Sequence, residues 1–304
     1  MATKSKPASS LSSPNSTSRK TSWPFFTVLL TVLSPVLVAT LVYQLDSFEP
    51  AHFPIHELTQ PPLKALKKND HMLQGSELVG FKQLIGPEDI AYDSNSGVIY
   101  TSCADGWVKR VTINDSVADT IVENWVNTGG RPLGLALGHD NEVIVADAYK
   151  ISGEGEVELL ADEAEGVKFN LTDAVDIAED GTIYFTDASY KYSLHEFLWD
   201  ILEGKPYGRA MSYDPVTKET KVLAHDLYFA NGIAVSPDQQ YVVSKNSGVF
   251  IVDLEGKPTE HYCDLGLALI SSGIKIGNHI YCGSLLYPYI VRLDVTEHPA
   301  RATV

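Results

Sequence analysis

The chain has 304 residues, 44% hydrophobic and 20% charged, enough for a full-sized core in one large domain or two small ones. Its net charge of −16 repels phosphate backbones, so no nucleic-acid partner is expected. The same charge attracts cations, either metal ions or protonated amines, although an acidic surface also serves solubility alone.

Residues 1–22 are rich in Ser, Thr and Pro, and their charged side chains are Lys4, Lys6, Arg19 and Lys20. This composition reads as a disordered cytosolic tail. Taking its four positive charges from −16 leaves about −20 on the rest of the chain. Residues 23–43, WPFFTVLLTVLSPVLVATLVY, contain no charged side chain and are long enough to cross a bilayer as a helix. Trp23 and Tyr43 stand at the two ends, where aromatic rings favour the interface; Pro35 kinks such a helix without forbidding it. The positive flank stays in the cytosol, which predicts a single-pass signal-anchor with the C-terminal part lumenal or extracellular. That is the secretory route: endoplasmic reticulum, vacuole or plasma membrane. A cleaved signal peptide is the alternative, but its apolar region is usually 7–15 residues, shorter than this run. A buried core helix is the third reading.

Residues 44–75 carry Pro50, Pro54, Pro61 and Pro62 without a clear period and read as a linker. From residue 76 to 304 a unit recurs: a short apolar strand, a polar turn, a second strand. Its copies begin at Pro87, Pro132, Thr172, Ala230 and Ser272. Matching points Ala91, Ala136, Ala178, Ala234 and Lys275 are separated by 45, 42, 56 and 41 residues. Repeats of 40–50 residues built from short strands predict an all-β fold, a β-propeller, with a β-sandwich as the competing architecture. Ser96-Gly97, Asp180-Gly181 and Pro237-Asp238 are the expected turns. The longest spacing contains residues 194–208, LHEFLWDILEGKPYG, a helical insertion expected to lie over one face. Asn114-Asp-Ser116 and Asn170-Leu-Thr172 are sequons in the lumenal part, so Asn114 and Asn170 are candidate glycosylation sites; the sequon at Asn15 lies in the cytosolic tail. The three cysteines, Cys103, Cys263 and Cys282, are an odd number in a secretory protein, and none has zinc-ligand spacing.

The segments Cys103-Ala-Asp-Gly-Trp-Val-Lys-Arg110, Gly130-Arg-Pro-Leu-Gly-Leu135 and Phe229-Ala-Asn-Gly-Ile233 resemble plant strictosidine-synthase-like proteins and animal adipocyte plasma membrane-associated protein. The order of tail, anchor and repeats does too, so the resemblance covers roughly residues 20–300. The wider superfamily includes paraoxonases, gluconolactonases and diisopropyl-fluorophosphatase, and the resemblance implies six blades with calcium in the central channel. Only five copies are present here. Tyr241–Asn246 runs directly into Ser247–Ile251, where a stretch of about one blade is expected to be missing, and a shorter gap follows Lys150. A cysteine in that missing stretch would account for the odd count.

Glu88 lies three residues before Ala91 and Asn231 three before Ala234, one repeat slot facing the axis; Asp173 holds nearly the same place in its blade. Oxygen ligands converging on one axis suit Ca²⁺, which takes 6–8 of them. The resemblance makes these three residues the calcium ligands and implies a fourth from the missing stretch. Without a metal, the same residues serve as turn caps and solvated strand ends. By resemblance, Leu133 stands where paraoxonases carry a histidine, and Leu269–Ile274, with Ser271 and Ser272, stands where strictosidine synthase carries its glutamate. Neither replacement can move a proton as a general acid or base. His139, His195 and His225 read as exposed, in a turn, the insertion and a polar loop. No residue is singled out as catalytic. The leading functional expectation is a calcium-dependent ester or lactone hydrolase acting on a small molecule in the channel. A non-catalytic ligand- or partner-binding propeller is second, and an amine–aldehyde condensing lyase third.

Overall fold

The structure, a computed structural model, describes residues 23–51, 66–114, 116–140, 142–147, 149–151, 153–235, 242–243, 249–252, 258–262, 270–285 and 287–302. The chain divides into two compact units, Met1–Glu49 and Pro50–Val304. In the first, helix α1 (Trp23–Leu45) has 23 residues and Pro35 inside it. At 1.5 Å per residue it is about 35 Å long, more than the ~30 Å hydrocarbon core of a bilayer. The apolar span, Phe25–Leu45, is uncharged and none of it is buried in protein. Two of its threonines bond back into the helix, Thr31 to the Thr27 carbonyl at 2.7 Å and Thr40 to the Val36 carbonyl at 2.8 Å, so those two hydroxyls need no water. The helix runs two residues past the predicted 23–43.

The second unit is nearly all strand. Strands β1 (Lys67–Asn69) and β2 (Glu77–Val79) come first. Next, β3 (Ile90–Asp93), β4 (Val98–Ser102), β5 (Trp107–Thr112) and β6 (Ile121–Asn127) form an antiparallel sheet in chain order, blade 1. Blade 2 is β7 (Leu135–Leu137), β8 (Val143–Val145), β9 (Tyr149–Ile151) and β10 (Val157–Leu159). A small hairpin, β11 (Glu163–Ala164) with β12 (Val167–Lys168), precedes blade 3: β13 (Thr172–Ile177), β14 (Ile183–Asp187), β15 (Gly208–Asp214) and β16 (Glu219–Leu227). Helix α2 (Phe197–Glu203) lies within the 194–208 insertion and ends at Gly204, a left-handed cap with φ 62°. Strands β17 (Ala234–Val235) and β18 (Val242–Val243) form a two-stranded half-blade. After β19 (Val249–Val252) and β20 (Pro258–Tyr262) comes the closing blade: β21 (Ile270–Ile276), β22 (His279–Ser284) and β23 (Ile290–Asp294). Its outer strand is β2 from the start of the unit, antiparallel to β23, so the ring is closed by pairing chain beginning to chain end. The last strand, β24 (Arg301–Ala302), joins β19, β20 and β1 in a separate sheet, with β1 parallel to β20.

The five inner hairpins coincide with the five sequence copies. Their first strands neighbour one another in the order β21, β3, β7, β13, β17, the succession expected of propeller blades. Residues alternate between faces, and the cores lie between blades. Val108 and Val126 meet Leu135 and Val145 between blades 1 and 2. Ile144 and Ala146 meet Val175, Phe185 and Met211 between blades 2 and 3. Ile90, Ile99 and Val111 meet Tyr281 and Ile290 between the closing blade and blade 1.

The turns at Gly97 (φ 72°) and Gly181 (φ 86°) are where they were expected; Pro237-Asp238 lies outside the described residues. Strand β1 falls inside the stretch read as a linker: three polar residues, Lys-Lys-Asn, give no alternating pattern to detect. Cys103 and Cys282 are free and buried, and burial pushes their thiols up to about 11 and about 12; Cys263 lies outside the described residues.

Candidate functional site

Blades 1, 2 and 3 and the half-blade each carry a slot residue just before, or at the start of, the inner strand, and the preceding blade grips that residue by its backbone carbonyl. The Glu88 carbonyl accepts from the Ser271 hydroxyl at 2.5 Å and the Ser272 hydroxyl at 2.8 Å, both on β21. The Leu133 carbonyl accepts from the Ser102 hydroxyl. The Asp173 carbonyl accepts from the Gly134 amide at 2.6 Å. The Asn231 carbonyl accepts from the Thr186 hydroxyl at 2.9 Å. Asp173 reaches this slot although it stands five residues before Ala178 rather than three. A register shift between Thr172 and Val175 supplies the displacement, a β-bulge of the kind that re-aims a side chain.

Two glycines are fixed by this close approach. A Cβ on Gly134 would sit 2.6 Å from the Asp173 carbonyl oxygen, and one on Gly283 would sit 2.5 Å from that of Glu88. Side chains there would push the blades apart at the slots.

The three predicted ligands come together. Glu88 and Asp173 are buried, Asn231 half-buried, and the Asn231 Nδ2 donates to Asp173 Oδ2 at 3.1 Å. Burial, then the charges of Asp173 and Asp89, hold the Glu88 carboxyl well above the usual carboxylate range. Burial, reinforced by Asp89, pushes Asp173 up to about 7. Glu88 Oε2 is buried and has no hydrogen-bond partner among the described residues. Such an atom marks a place where an ion, water or ligand group belongs.

Three residues missed by sequence reasoning complete the surroundings. The Arg131 guanidinium lowers both carboxyls, while its own Nη groups donate to the carbonyls of Pro132 at 2.7 Å and Gly86 at 3.1 Å. Asp89 and Asp176 are inter-blade clasps. Asp89 accepts from the amides of Ile90 at 2.8 Å and of Leu135, in blade 2, at 2.7 Å. Asp176 accepts from the amides of Ile177 at 2.9 Å and of Val235, in the half-blade, at 2.7 Å. The repeated Asp-Ile-Ala at 89–91 and 176–178 was the available signal.

Leu133 is buried with Leu171 and Ala188, against which Phe197 and Phe229 pack, so the fourth slot opens onto an apolar wall. His139 is exposed, as expected, and its Nε2 lies 3.1 Å from the Ala178 carbonyl. His225 is exposed but on β16, not in a loop, 3.7 Å from Glu165; His195 is exposed. None of the three histidines stands at the slots. Among the described residues, no three His, Cys, Asp or Glu side chains form a metal-holding group, because the cluster consists of two carboxylates and an amide. A side cleft lined by His139, Glu142, Glu158 and Tyr213 shares no residue with it.

The fold and this axial cluster define a β-propeller with a polar site at the centre of its blades. Residues 65–111 match the strictosidine synthase-like N-terminal family, and residues 173–249 the strictosidine synthase family. The strictosidine synthase-like 6 protein of Arabidopsis thaliana is 42% identical, over 89% of this chain and 95% of its own length. The chain therefore belongs to the strictosidine synthase-like family. The adipocyte plasma membrane-associated protein of Gallus gallus is 34% identical over 72% of this chain and 55% of its own length. A gluconolactonase of Xanthomonas campestris has the same fold, with TM-score 0.55 and 16% identity over 78% of this chain and 99% of its own. The Arabidopsis alignment takes 358 positions, whereas 89% of 304 residues is about 270. The remaining 80–90 positions, roughly, have no counterpart here, at least one 40–50-residue blade's length.

Proposed function

We propose that this protein is a membrane-anchored propeller of the secretory lumen whose channel holds calcium on Glu88, Asp173 and Asn231, and that it hydrolyses esters or lactones. The observation that carries the reading is the orphaned, buried Glu88 Oε2 beside the buried Asp173. Two carboxylates forced up by burial, with an amide beside them, are hard oxygen donors waiting for a positive charge. The residues fit the ion in chemistry and leave part of a 6–8 coordination sphere to water, backbone or substrate. A bound calcium supplies Lewis-acid polarisation of a carbonyl oxygen. The protein's own part is to hold Glu88, Asp173 and Asn231 rigidly by their carbonyls, to set Arg131 as a counter-charge, and to offer an apolar wall at Leu133 for the substrate's hydrocarbon. The acidic lumenal part, about −20 after the tail's charges are removed, favours cation entry.

The test is a thermal melt of the full chain in detergent, with EDTA and with several millimolar calcium. Calcium is expected to raise Tm by several degrees, because only the folded state presents the site. Glu88→Gln should reduce that shift more than Asn231→Ala, since it removes a full charge. Hydrolysis of an aryl ester or lactone should be lost in EDTA and restored by calcium. Identical melts with and without calcium reject the metal site.

One observation favours a second reading, a ligand-binding propeller without catalysis. The slot between Glu88 and Asp173 carries Leu133, and the described histidines lie elsewhere, so no imidazole is at hand to take a proton. Calcium-dependent stabilisation without turnover selects that reading.

A further inference from the structure

Helix α2 is amphipathic in reverse. Its inward face is charged: Asp200 is 2% exposed and Glu203 is 0% exposed. Glu203 is held by the Lys191 ammonium at 2.8 and 3.0 Å and by the Tyr192 hydroxyl at 2.7 Å. Its outward face is apolar: Leu198 is 58%, Trp199 53%, Ile201 53% and Leu202 63% exposed. Four large apolar side chains on seven residues, turned to the outside of a soluble-looking domain, mark a surface that meets something apolar.

The chain itself indicates what that is. The Ala51 amide donates to the Glu203 carbonyl at 2.7 Å, tying the segment that follows the span to the C-terminal end of α2. Only five residues, six Cα-to-Cα steps, separate Leu45, the last residue of α1, from Ala51. Six extended steps reach at most about 20 Å. With α1 across a bilayer, α2 therefore lies within one short tether of the lipid surface. We infer that the face Leu198, Trp199, Ile201 and Leu202 inserts into the lumenal leaflet of that bilayer as an interfacial helix, a second contact beside the span. The surrounding domain is acidic, so the leaflet it suits is zwitterionic and the docking is apolar rather than electrostatic. Trp is the side chain most suited to the headgroup boundary. Because the half-buried Phe197 packs against the Leu133 cluster from the same helix, the proposal also places the channel mouth near the membrane, where apolar esters partition.

This inference rests on the membrane-anchor reading, and the experiment separates the two. The full chain is reconstituted into phosphatidylcholine vesicles with and without bromine on the acyl chains near the headgroup, and tryptophan fluorescence is compared. Wild type should be quenched by bromine. Trp23→Phe should keep a clear fraction of that quenching, and adding Trp199→Phe should remove the remainder. Leu198→Asp with Leu202→Asp, in the Trp23→Phe background, should cut the quenching at least severalfold with the melting temperature unchanged. If Trp23→Phe alone abolishes quenching, the anchor stands and the docking is overturned. If wild type is not quenched at all, the anchor itself fails, and the docking with it. If Trp199 is shielded from aqueous acrylamide yet not quenched by bromine, a protein segment covers the face and the proposal is likewise overturned.

Discussion

Glu88 and Asp173 are acids kept out of water, and their titration follows from that. The folded Asp173 carboxyl holds its proton up to about pH 7, while an unfolded aspartate releases it near pH 4. The native state thus binds more protons between those values, and metal-free stability must fall as pH rises through that window. Asp173→Asn removes that carboxyl's share of the dependence and leaves the share of Glu88. In EDTA, wild type should lose several degrees of Tm relative to that variant between pH 4.5 and pH 7.5, and saturating calcium should abolish the difference. Parallel curves in EDTA would show that Asp173 is not held in a dry site. The thiols of Cys103 and Cys282, also raised by burial, are inert packing groups by the same reasoning.

Between elements, the inner strands are joined by side chains as well as by apolar packing. Asp89 and Asp176 each satisfy one amide on their own strand or turn and one on the neighbouring strand. Truncation leaves buried amides unpaired, a cost of about 1–3 kcal/mol each. Asp89→Ala and Asp176→Ala should each lower Tm by a few degrees, and the double variant should lose about the sum, since the two clasps sit at different blade junctions. A drop of less than one degree in a thermal melt would show that packing alone holds the junctions. Helix α2 depends on the buried Glu203 with its Lys191 partner, 2.8 Å away. Glu203→Ala leaves the partly exposed Lys191 without that carboxylate and the Tyr192 hydroxyl without its acceptor, and a lower Tm is expected in a thermal melt.

For the whole molecule, orientation is the first question. The basic tail predicts a cytosolic N-terminus, so protease added to sealed microsomes should remove only the tail and leave the propeller intact. Digestion of the propeller in intact vesicles would refute that topology. Asn114 is exposed just after β5, its Nδ2 making one bond to the Asp119 carbonyl at 2.7 Å. Asn170 is also exposed, but its Nδ2 is held by two carbonyls, Tyr190 at 3.1 Å and Lys191 at 3.2 Å. Endoglycosidase should therefore shift the gel mobility, and Asn114→Gln should remove most of the shift. Among the described residues the ring carries five inner hairpins, one of them in a two-stranded half-blade, where the Arabidopsis relative has more chain. A calcium ion at the slots of blade 1, blade 3 and the half-blade would brace that shortened ring.

The sequence by itself determined what local pattern can encode. Short apolar strands recurring at 41–56-residue spacing foretold the blades, an uncharged 21-residue run foretold a helix apolar enough to span a membrane, and position within the repeat picked out Glu88 and Asn231. It approached Asp173 only nearly, because a bulge has no signature in residue identity; the backbone shift at Thr172–Val175 decided the place. Tertiary structure alone decided the rest. Closure through β2 needs the two ends of the unit to meet. The burial that drives the Glu88 and Asp173 carboxyls upward arises only when separate blades converge. The reversed polarity of α2 became legible once Asp200 and Glu203 were seen inside and Leu198 and Leu202 outside, since a helical pattern shows two faces but not which one meets the core.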